Sequence, residues 1–181
     1  MTAMLLDDVM PEYDFLERHE KRVAAPKDAV RRAIDSSRSP RTPARLLFAL
    51  RRIPVPKGTL REWATSMGFL VLAETDDELV LGQIGRFWAL NERTALVSPK
   101  TVDEFLRFDD ARYAKAAMTV RVEMLDSGET RLYTETRVRA LGPGARRRFR
   151  LYWLLIRPFS GLLRHEMLRG IAKEARRIAE G

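Results

Sequence analysis

Residues 118–138, MTVRVEMLDSGETRLYTETRV, decide the fold of this chain. In the first arm of this stretch, apolar side chains occupy every second position, at Met118, Val120, Val122 and Met124. The second arm alternates in the same way through Leu132, Thr134, Thr136 and Val138. Period-two alternation on both sides of the Asp126-Ser127-Gly128 turn predicts a long antiparallel hairpin, with one face on the core and the other in water.

Further strands are predicted upstream of this hairpin. Residues 69–73 and 79–84 flank the turn-like segment Glu74-Thr75-Asp76-Asp77, which predicts a second hairpin. Residues 86–90, RFWAL, are predicted to form another strand after Gly85. Residues 13–24 alternate partially over the length of a strand and carry many charges, so one face of that strand must meet polar groups.

Helix-start signals separate these strands. A proline at the first helical position or a capping-box pair occurs at Pro26, at Thr42-Pro43, at Thr59 with Glu62, and at Thr101 with Glu104. Gly68 is a plausible stop for the helix that starts at Thr59. Residues 39–67 are therefore expected to contain helices.

The chain after Gly142-Pro143-Gly144 is predicted to be a long amphipathic helix. Its apolar side chains fall near one stripe, which includes Phe149, Trp153, Ile156, Leu163, Met167, Gly170, Ile171 and Ile178. Pro158 together with Gly161 predicts a kink in this helix, or its division into two.

This order of elements resembles the helix-grip fold of the START-like (SRPBCC) superfamily, which includes polyketide cyclases, pollen-allergen relatives and lipid-transfer domains. Three stretches carry the resemblance: RVAAPKDAV at 22–30, ETRLYTETRVRA at 129–140, and RRRFRLYWLLIRPFSGLLRHEML at 146–168. The first two resemble the opening strand with its helix start and the last strand of the superfamily, and the third resembles the final helix of bacterial members described only as cyclase- or dehydrase-like. The resemblance implies an α+β fold in which a curved antiparallel sheet wraps around a long C-terminal helix. It implies one domain over residues 1–181, with residues 1–12 flexible and residues 39–67 as an extra helical insertion into the family's minimal pattern.

In the helix-grip family the sheet and the last helix enclose an apolar cavity. The resemblance implies a ligand-binding lining made of Trp88, Met118, Val120, Val122, Leu132, Thr134, Thr136, Phe149, Trp153 and Ile156, with Phe87 in place of Trp88 if that parity faces inward. Thr134 and Thr136 would fix the orientation of a ligand. The alternative is that the same side chains fill a solid core. The expected function is to bind or carry a hydrophobic small molecule or lipid.

Residues suited to catalysis are few. His19 shares its strand parity with Glu17, so the two could act as a general base and the group that orients it. With Tyr133 they are the acid–base candidates of the alternative function, a cyclase or dehydratase. His165 lies in RHEM, which lacks the second half of HExxH, and the chain has no cysteine. No metal site is predicted, and without a GxGxxG or P-loop motif no cofactor is expected.

Positive charge is concentrated at the C-terminal end. The chain carries a net charge of +8, and residues 143–181 hold ten basic and three acidic side chains. This bias predicts either a solvated helix face or a contact with an anionic membrane or nucleic acid. Nucleic acid is the less favoured partner, because the aromatics of RRRFRLYW fall on the helix face expected to be buried.

Two features bear on localisation. The apolar run at residues 151–163 is shorter than the roughly 20 residues that cross a bilayer, although it could lie in the plane of a membrane. Residues 1–14 have neither a basic start nor an apolar signal core, so a cytoplasmic location is expected.

Overall fold

An antiparallel sheet forms the frame of the molecule. The computed structural model describes residues 4–36, 59–89 and 95–181, except for the side chain of Trp63. The strands are β1 (Phe15–Val23), β2 (Leu70–Glu74), β3 (Glu78–Gly85), β4 (Leu96–Val97), β5 (Ala114–Met124) and β6 (Thr130–Ala140). The helices within the described ranges are α1 (Leu5–Val9), α2 (Lys27–Ser36), α3 (Leu60–Ser66), α4 (Val102–Arg107) and α5 (Pro143–Glu180).

The strands lie in the order β1-β6-β5-β3-β2, and β4 pairs with the end of β3. All pairings are antiparallel. The sheet is curved and open, and α5 packs against its concave face. The α+β helix-grip arrangement expected from the sequence is therefore confirmed.

The central hairpin forms as its alternation predicted. β5 and β6 pair over their whole length, with Val120 opposite Thr134. In the turn between them, Gly128 has a φ of +81°, which glycine adopts at no steric cost. The amide of Leu125 donates to the carbonyl of Glu129 at 2.8 Å and closes the turn.

Two of the predicted helix starts are confirmed by their capping contacts. The Thr101 hydroxyl accepts a hydrogen bond from the Glu104 amide at 3.1 Å, at the start of α4. At the start of α3, Thr59 and Glu62 exchange side-chain-to-amide bonds in both directions. The helix predicted to begin at Thr42-Pro43 lies outside the described residues.

The strand predicted at residues 86–90 is wrong for its described part, residues 86–89. The amide of Ala89 donates to the carbonyl of Arg86 at 2.8 Å, so the chain turns here instead of extending. The Arg86 amide donates to Ala95, which starts the short return to β4. Aromatic residues favour strands in general, but here Phe87 and Trp88 serve to cover one end of the core.

Helices α2, α3 and α5 cover the concave face of the sheet. Val23, Val122 and Leu132 from the sheet pack against Leu168 and Ile171 of α5 in one aliphatic core. The helix α5 is continuous from Pro143 to Glu180 and is not divided at Pro158.

The middle of the convex face is also buried, contrary to the prediction of one face in water, while Glu123, Arg131 and Arg139 further along it stay partly or fully exposed. Helices α1 and α4 cover it, and Leu6, Val80 and Phe105 form part of its apolar core. Polar side chains on the same face are enclosed too: Thr119 and Glu135 are fully buried. Alternation of polar and apolar residues predicted water on this side. The prediction failed because polar groups that pair with one another can be buried without changing the pattern.

The N-terminal segment is tied to the convex face. Leu5–Val9 forms a helix in which Leu6 is completely buried, while the flexibility expected for residues 1–12 stays a prediction. The Arg137 guanidinium donates to the Met10 carbonyl at 2.9 Å and to the Asp7 carboxylate at 2.6 Å. Hydrogen bonds from a β6 side chain to this segment hold it on the sheet.

Candidate functional site

Two packed clusters contain six of the ten residues predicted to line a cavity. At one end of the concave face, the Phe149 ring lies 4.7 Å from Phe15 and 5.6 Å from Trp153, with which it is stacked. Trp88 meets Phe149 edge-on at 6.5 Å. These rings fill the space between the sheet and the first turns of α5.

The aliphatic members of the predicted lining lie at the other end. Val120, Val122 and Leu132 are at most 2% exposed and belong to the core that α2 and α5 cover. Thr134 donates its hydroxyl to the carbonyl of Thr119 at 2.8 Å and is satisfied within the sheet. Ile156 is half-buried on α5.

Between the two clusters the concave face is polar. Glu17, on β1, is 7% exposed, and its carboxylate is shared by two partners. One oxygen lies 2.9 Å from Nε2 of His19, and the other accepts a hydrogen bond from the Ser160 hydroxyl at 2.8 Å. Because Glu17 and His19 are two apart on a strand, they share a face, as the alternation predicted. Ser160 reaches them from α5.

A second histidine extends this set. The ring of His165 lies 4.9 Å from the ring of His19, edge to face, and His165 is exposed to solvent. We call Glu17, His19, Ser160 and His165 the polar cluster. Among the described residues, no group of three or more histidine, cysteine, aspartate or glutamate side chains is arranged to hold a metal ion.

Arg164 lies next to the polar cluster and points its guanidinium at the sheet. It donates to the Thr136 hydroxyl at 3.0 Å and contacts the sulfur of Met118. Removal of the guanidinium from water lowers the pKa of Arg164 to about 10, and the negative charge of Glu17 partly offsets this. Arg164 is therefore charged at neutral pH, and Thr136 and Met118 from the predicted lining serve as its partners.

An open groove of about 520 Å³ gives access to the polar cluster. It runs between the edge strand β1 and helix α5, and its lining residues are Leu16, Glu17, Arg18, His19, Arg157, Pro158 and Gly161. A Cβ atom at Gly161 would stand 3.4 Å from a carboxylate oxygen of Glu17 and 3.6 Å from Cε1 of His19. The glycine therefore leaves the groove open directly above this pair.

The third acid–base candidate, Tyr133, faces away from the groove. It lies on the convex face, where its hydroxyl donates to the carboxylate of Glu135. Burial and that hydrogen bond raise the pKa of Tyr133 above its usual value. Glu17 has the opposite parity, because it pairs with Thr136 of β6. Tyr133 cannot act on a molecule bound beside Glu17.

Glu135 is the centre of a buried ionic network beneath α1. It accepts hydrogen bonds from Arg18 and Arg137, each at 2.6 Å, as well as from Tyr133. Burial alone would raise the pKa of Glu135, but these three donors outweigh it and hold the pKa below its usual value. The network joins β1, β6 and α1. It is a structural feature, since Glu135 and Arg137 lie on the face of the sheet opposite the groove, and Arg18 connects it to the edge of the groove.

Ser160 and Arg164 were missed as members of the site. Both fall on the stripe of α5 predicted to be buried, one helical turn apart, among Trp153, Ile156 and Met167. A polar side chain in a buried stripe needs a hydrogen-bonding partner. This requirement was the signal in the sequence that Ser160 and Arg164 contact other polar groups. No local pattern indicated that the partner would be Glu17, which is 143 positions from Ser160.

Comparisons with known proteins add similarities of overall structure. No family model matches this chain, and no curated protein matches it. The hypothetical protein jhp0584 from Helicobacter pylori has a TM-score of 0.44 and 14% identity, covering 97% of this chain and 99% of its own. The protein TTHA0849 from Thermus thermophilus has a TM-score of 0.30 and 13% identity, covering 89% of this chain and 97% of its own. The helix-grip arrangement rests here on this chain's own strand order.

Proposed function

We propose that the groove between β1 and α5 binds a small amphipathic molecule. Its polar group is held by Glu17 and His19, and its apolar part lies along Leu16 and Pro158. The observation that carries this proposal is a nearly buried carboxylate at the floor of an open groove. A carboxylate removed from bulk water is costly, so its place beside an opening suits a ligand that donates a hydrogen bond.

The chemistry of the groove favours a ligand with a hydroxyl or amine. Glu17 can only accept hydrogen bonds when it is ionised, and a hydroxyl or an amine would supply a donor. The helix-grip arrangement and the START-like resemblance support a carrier or binding role for an apolar molecule. The packing of the aromatic and aliphatic clusters favours the groove over an enclosed cavity as the place for the guest.

Retention of a ligand by the purified protein tests this proposal. The protein is incubated with a lipid extract and, separately, with long-chain alcohols and phenols, and retained species are identified by native mass spectrometry. Gly161→Leu fills the groove above Glu17 and His19, so it should abolish retention. Gly170→Leu is the matched control, because no other described part of the protein lies within 4 Å of a Cβ at Gly170 of the same helix.

Two results would contradict the proposal. One is that the protein retains none of these species; the other is that Gly161→Leu retains them as well as Gly170→Leu does. If the ligand donates to Glu17, then Glu17→Gln should weaken binding by roughly tenfold, which corresponds to one charge-assisted hydrogen bond.

A second candidate function is proton transfer in a cyclase or dehydratase reaction. The 2.9 Å contact between His19 and Glu17 at the groove favours it, because it places a base and its orienting partner beside a molecule bound in the groove.

A β-hydroxy ketone in D₂O is a direct probe of this candidate function. Glu17 would remove the α-proton of the ketone, and NMR would report the exchange of that proton for deuterium. Glu17→Gln should abolish the exchange, whereas Glu20→Gln, on the opposite face of β1, should leave it unchanged. Equal rates for these two variants would exclude this candidate.

A further inference from the structure

Helix α5 carries a row of large apolar side chains on the side that faces away from the sheet. Their exposed fractions are 65% for Leu151, 71% for Leu154, 69% for Leu155, 41% for Phe159 and 42% for Leu162. Steps of three and four residues place them on one side of the helix, and we call them the apolar stripe. On the opposite side Phe149 is buried in the core. Over these turns α5 is apolar on both sides, which is unusual for a helix that meets only water.

Exposed cations surround the apolar stripe. Arg147 and Arg148 precede it, Arg150 and Arg157 lie beside it, and Lys173 follows it further along the helix. None of these five side chains forms an ion pair or hydrogen bond with another residue in the described ranges. By contrast, Arg169 and Arg177 on the same helix pair with Glu166 and Glu174. The four arginines next to the stripe therefore have no ion pair in the described part of the chain.

We propose that this side of α5 docks on the surface of an anionic lipid membrane. The leucines would enter the boundary between headgroups and acyl chains, and the arginines would contact the lipid phosphates. Of the helices in the described part of the chain, none is long and apolar enough to cross a bilayer. In this proposal α5 lies along the surface, with the apolar stripe toward the lipid.

Charge and chemistry distinguish this occupant from others. A second copy of the chain would bring the same unpaired arginines face to face, which opposes association. A nucleic acid would satisfy the arginines but offers no apolar surface to cover the leucines. An anionic bilayer meets both requirements, because its charged headgroups lie directly above its acyl chains.

Co-sedimentation with lipid vesicles tests the proposal. The full chain should sediment with vesicles of equal parts phosphatidylglycerol and phosphatidylcholine, and much less with phosphatidylcholine alone. Raising the salt concentration should weaken binding, because it screens the headgroup charges.

Replacing both Leu154 and Leu155 by serine should lower the partition coefficient by at least about tenfold. Replacing Arg147 and Arg148 by glutamine should lower it by roughly fivefold for each charge.

Met124→Ser is the control, because Met124 is 61% exposed and lies at the tip of the β5–β6 hairpin, away from α5. It should bind vesicles as the unaltered chain does. All the altered positions are exposed, so each variant should keep its circular dichroism spectrum and unfolding midpoint.

Three results would overturn the proposal. The first is no sedimentation with anionic vesicles, and the second is equal binding to both vesicle types at all salt concentrations. The third is a dimer in analytical ultracentrifugation that the two serine substitutions dissociate while vesicle binding is unchanged. That last result would assign the stripe to a second copy of the chain.

Discussion

Arg164 holds a guanidinium against the sheet at a cost to stability. Within the described part of the chain its partners are a hydroxyl and a thioether, and neither carries a charge. The lowered pKa of this arginine expresses the same cost, because withdrawal from water disfavours the charged form. A side chain that costs stability in its folded position is a candidate for function.

We expect Arg164→Met to raise the free energy of unfolding by roughly 1–3 kcal/mol, since methionine keeps an unbranched apolar stem at this position and removes the desolvated charge. Urea denaturation at neutral pH measures this. Arg150→Met, at an exposed position of the same helix, should change stability by less than about 0.5 kcal/mol. A loss of stability in Arg164→Met would mean that the bond to Thr136 and the attraction to Glu17 outweigh the desolvation.

Glu135 makes the fold sensitive to acid. Its pKa is held below the unfolded value by Tyr133, Arg18 and Arg137 despite its burial. At pH values between the folded and the unfolded pKa of Glu135, the folded state therefore binds fewer protons than the unfolded state. The contribution of Glu135 to stability is present above the unfolded pKa and is lost as the pH falls through the folded pKa.

Glu135→Gln should be less stable than the unaltered chain at neutral pH, by roughly 3 kcal/mol, because two arginines lose a buried ionic partner. It should also lose less stability on acidification to about pH 3. Urea denaturation across this pH range compares the slopes. Asp8→Asn, at an exposed position of α1, should follow the unaltered curve. Parallel curves for Glu135→Gln and the unaltered chain would be inconsistent with the network having this role.

At the scale of secondary structure, regular alternation was sufficient to predict β5 and β6. It was insufficient to predict which elements cover their faces. The pattern separates Val120 from Thr119, and this fixes which side chains share a face. It does not show that Glu135 and Arg137 neutralise each other and can be covered. The burial of the convex face depends on α1, whose sequence LLDDV is too short to carry a helical period.

Helix α1 is expected to contribute to the stability of the whole sheet. Leu6 is 0% exposed, and the neighbouring carbonyls and carboxylate receive the hydrogen bonds of Arg137. Leu6→Ala should lower the free energy of unfolding by about 2–5 kcal/mol, the usual range for a buried leucine. Leu106→Ala in α4, where the leucine is 48% exposed, should lower it by less than about 1 kcal/mol. Equal effects in chemical denaturation would show that α1 is only loosely attached.

For the whole molecule, the sequence predicted the sheet and its closing helix but could not distinguish a cavity from a core. Val122, Leu132 and Phe149 would suit either, because the side chains that line an apolar pocket are those that fill one. A cavity differs from a solid core in the volume left empty after the side chains pack. That volume depends on contacts between distant parts of the chain. Glu17 and His19 were placed correctly on one face, while their partner Ser160 depended on how α5 crosses β1.

The groove and the apolar stripe are adjacent. Pro158 lines the groove and, by its position on α5, lies between Leu154 and Leu162 along the stripe. If both proposals hold, docking on a membrane would bring the groove mouth to the lipid surface. An amphipathic ligand could then pass between bilayer and groove with little exposure of its apolar part to water.

Because the sheet is covered on both faces, the two layers should unfold together. Leu6 belongs to the convex core and Leu132 to the concave core, and both are fully buried. Trp88 and Trp153 lie in the aromatic cluster on the concave side, so tryptophan fluorescence reports chiefly on that layer, while far-ultraviolet circular dichroism reports on all helices and strands. We expect Leu6→Ala and Leu132→Ala each to lower both midpoints equally in a urea titration, since one sheet supports both cores. A Leu6→Ala variant whose circular dichroism changes before its fluorescence would show instead that the convex layer unfolds independently.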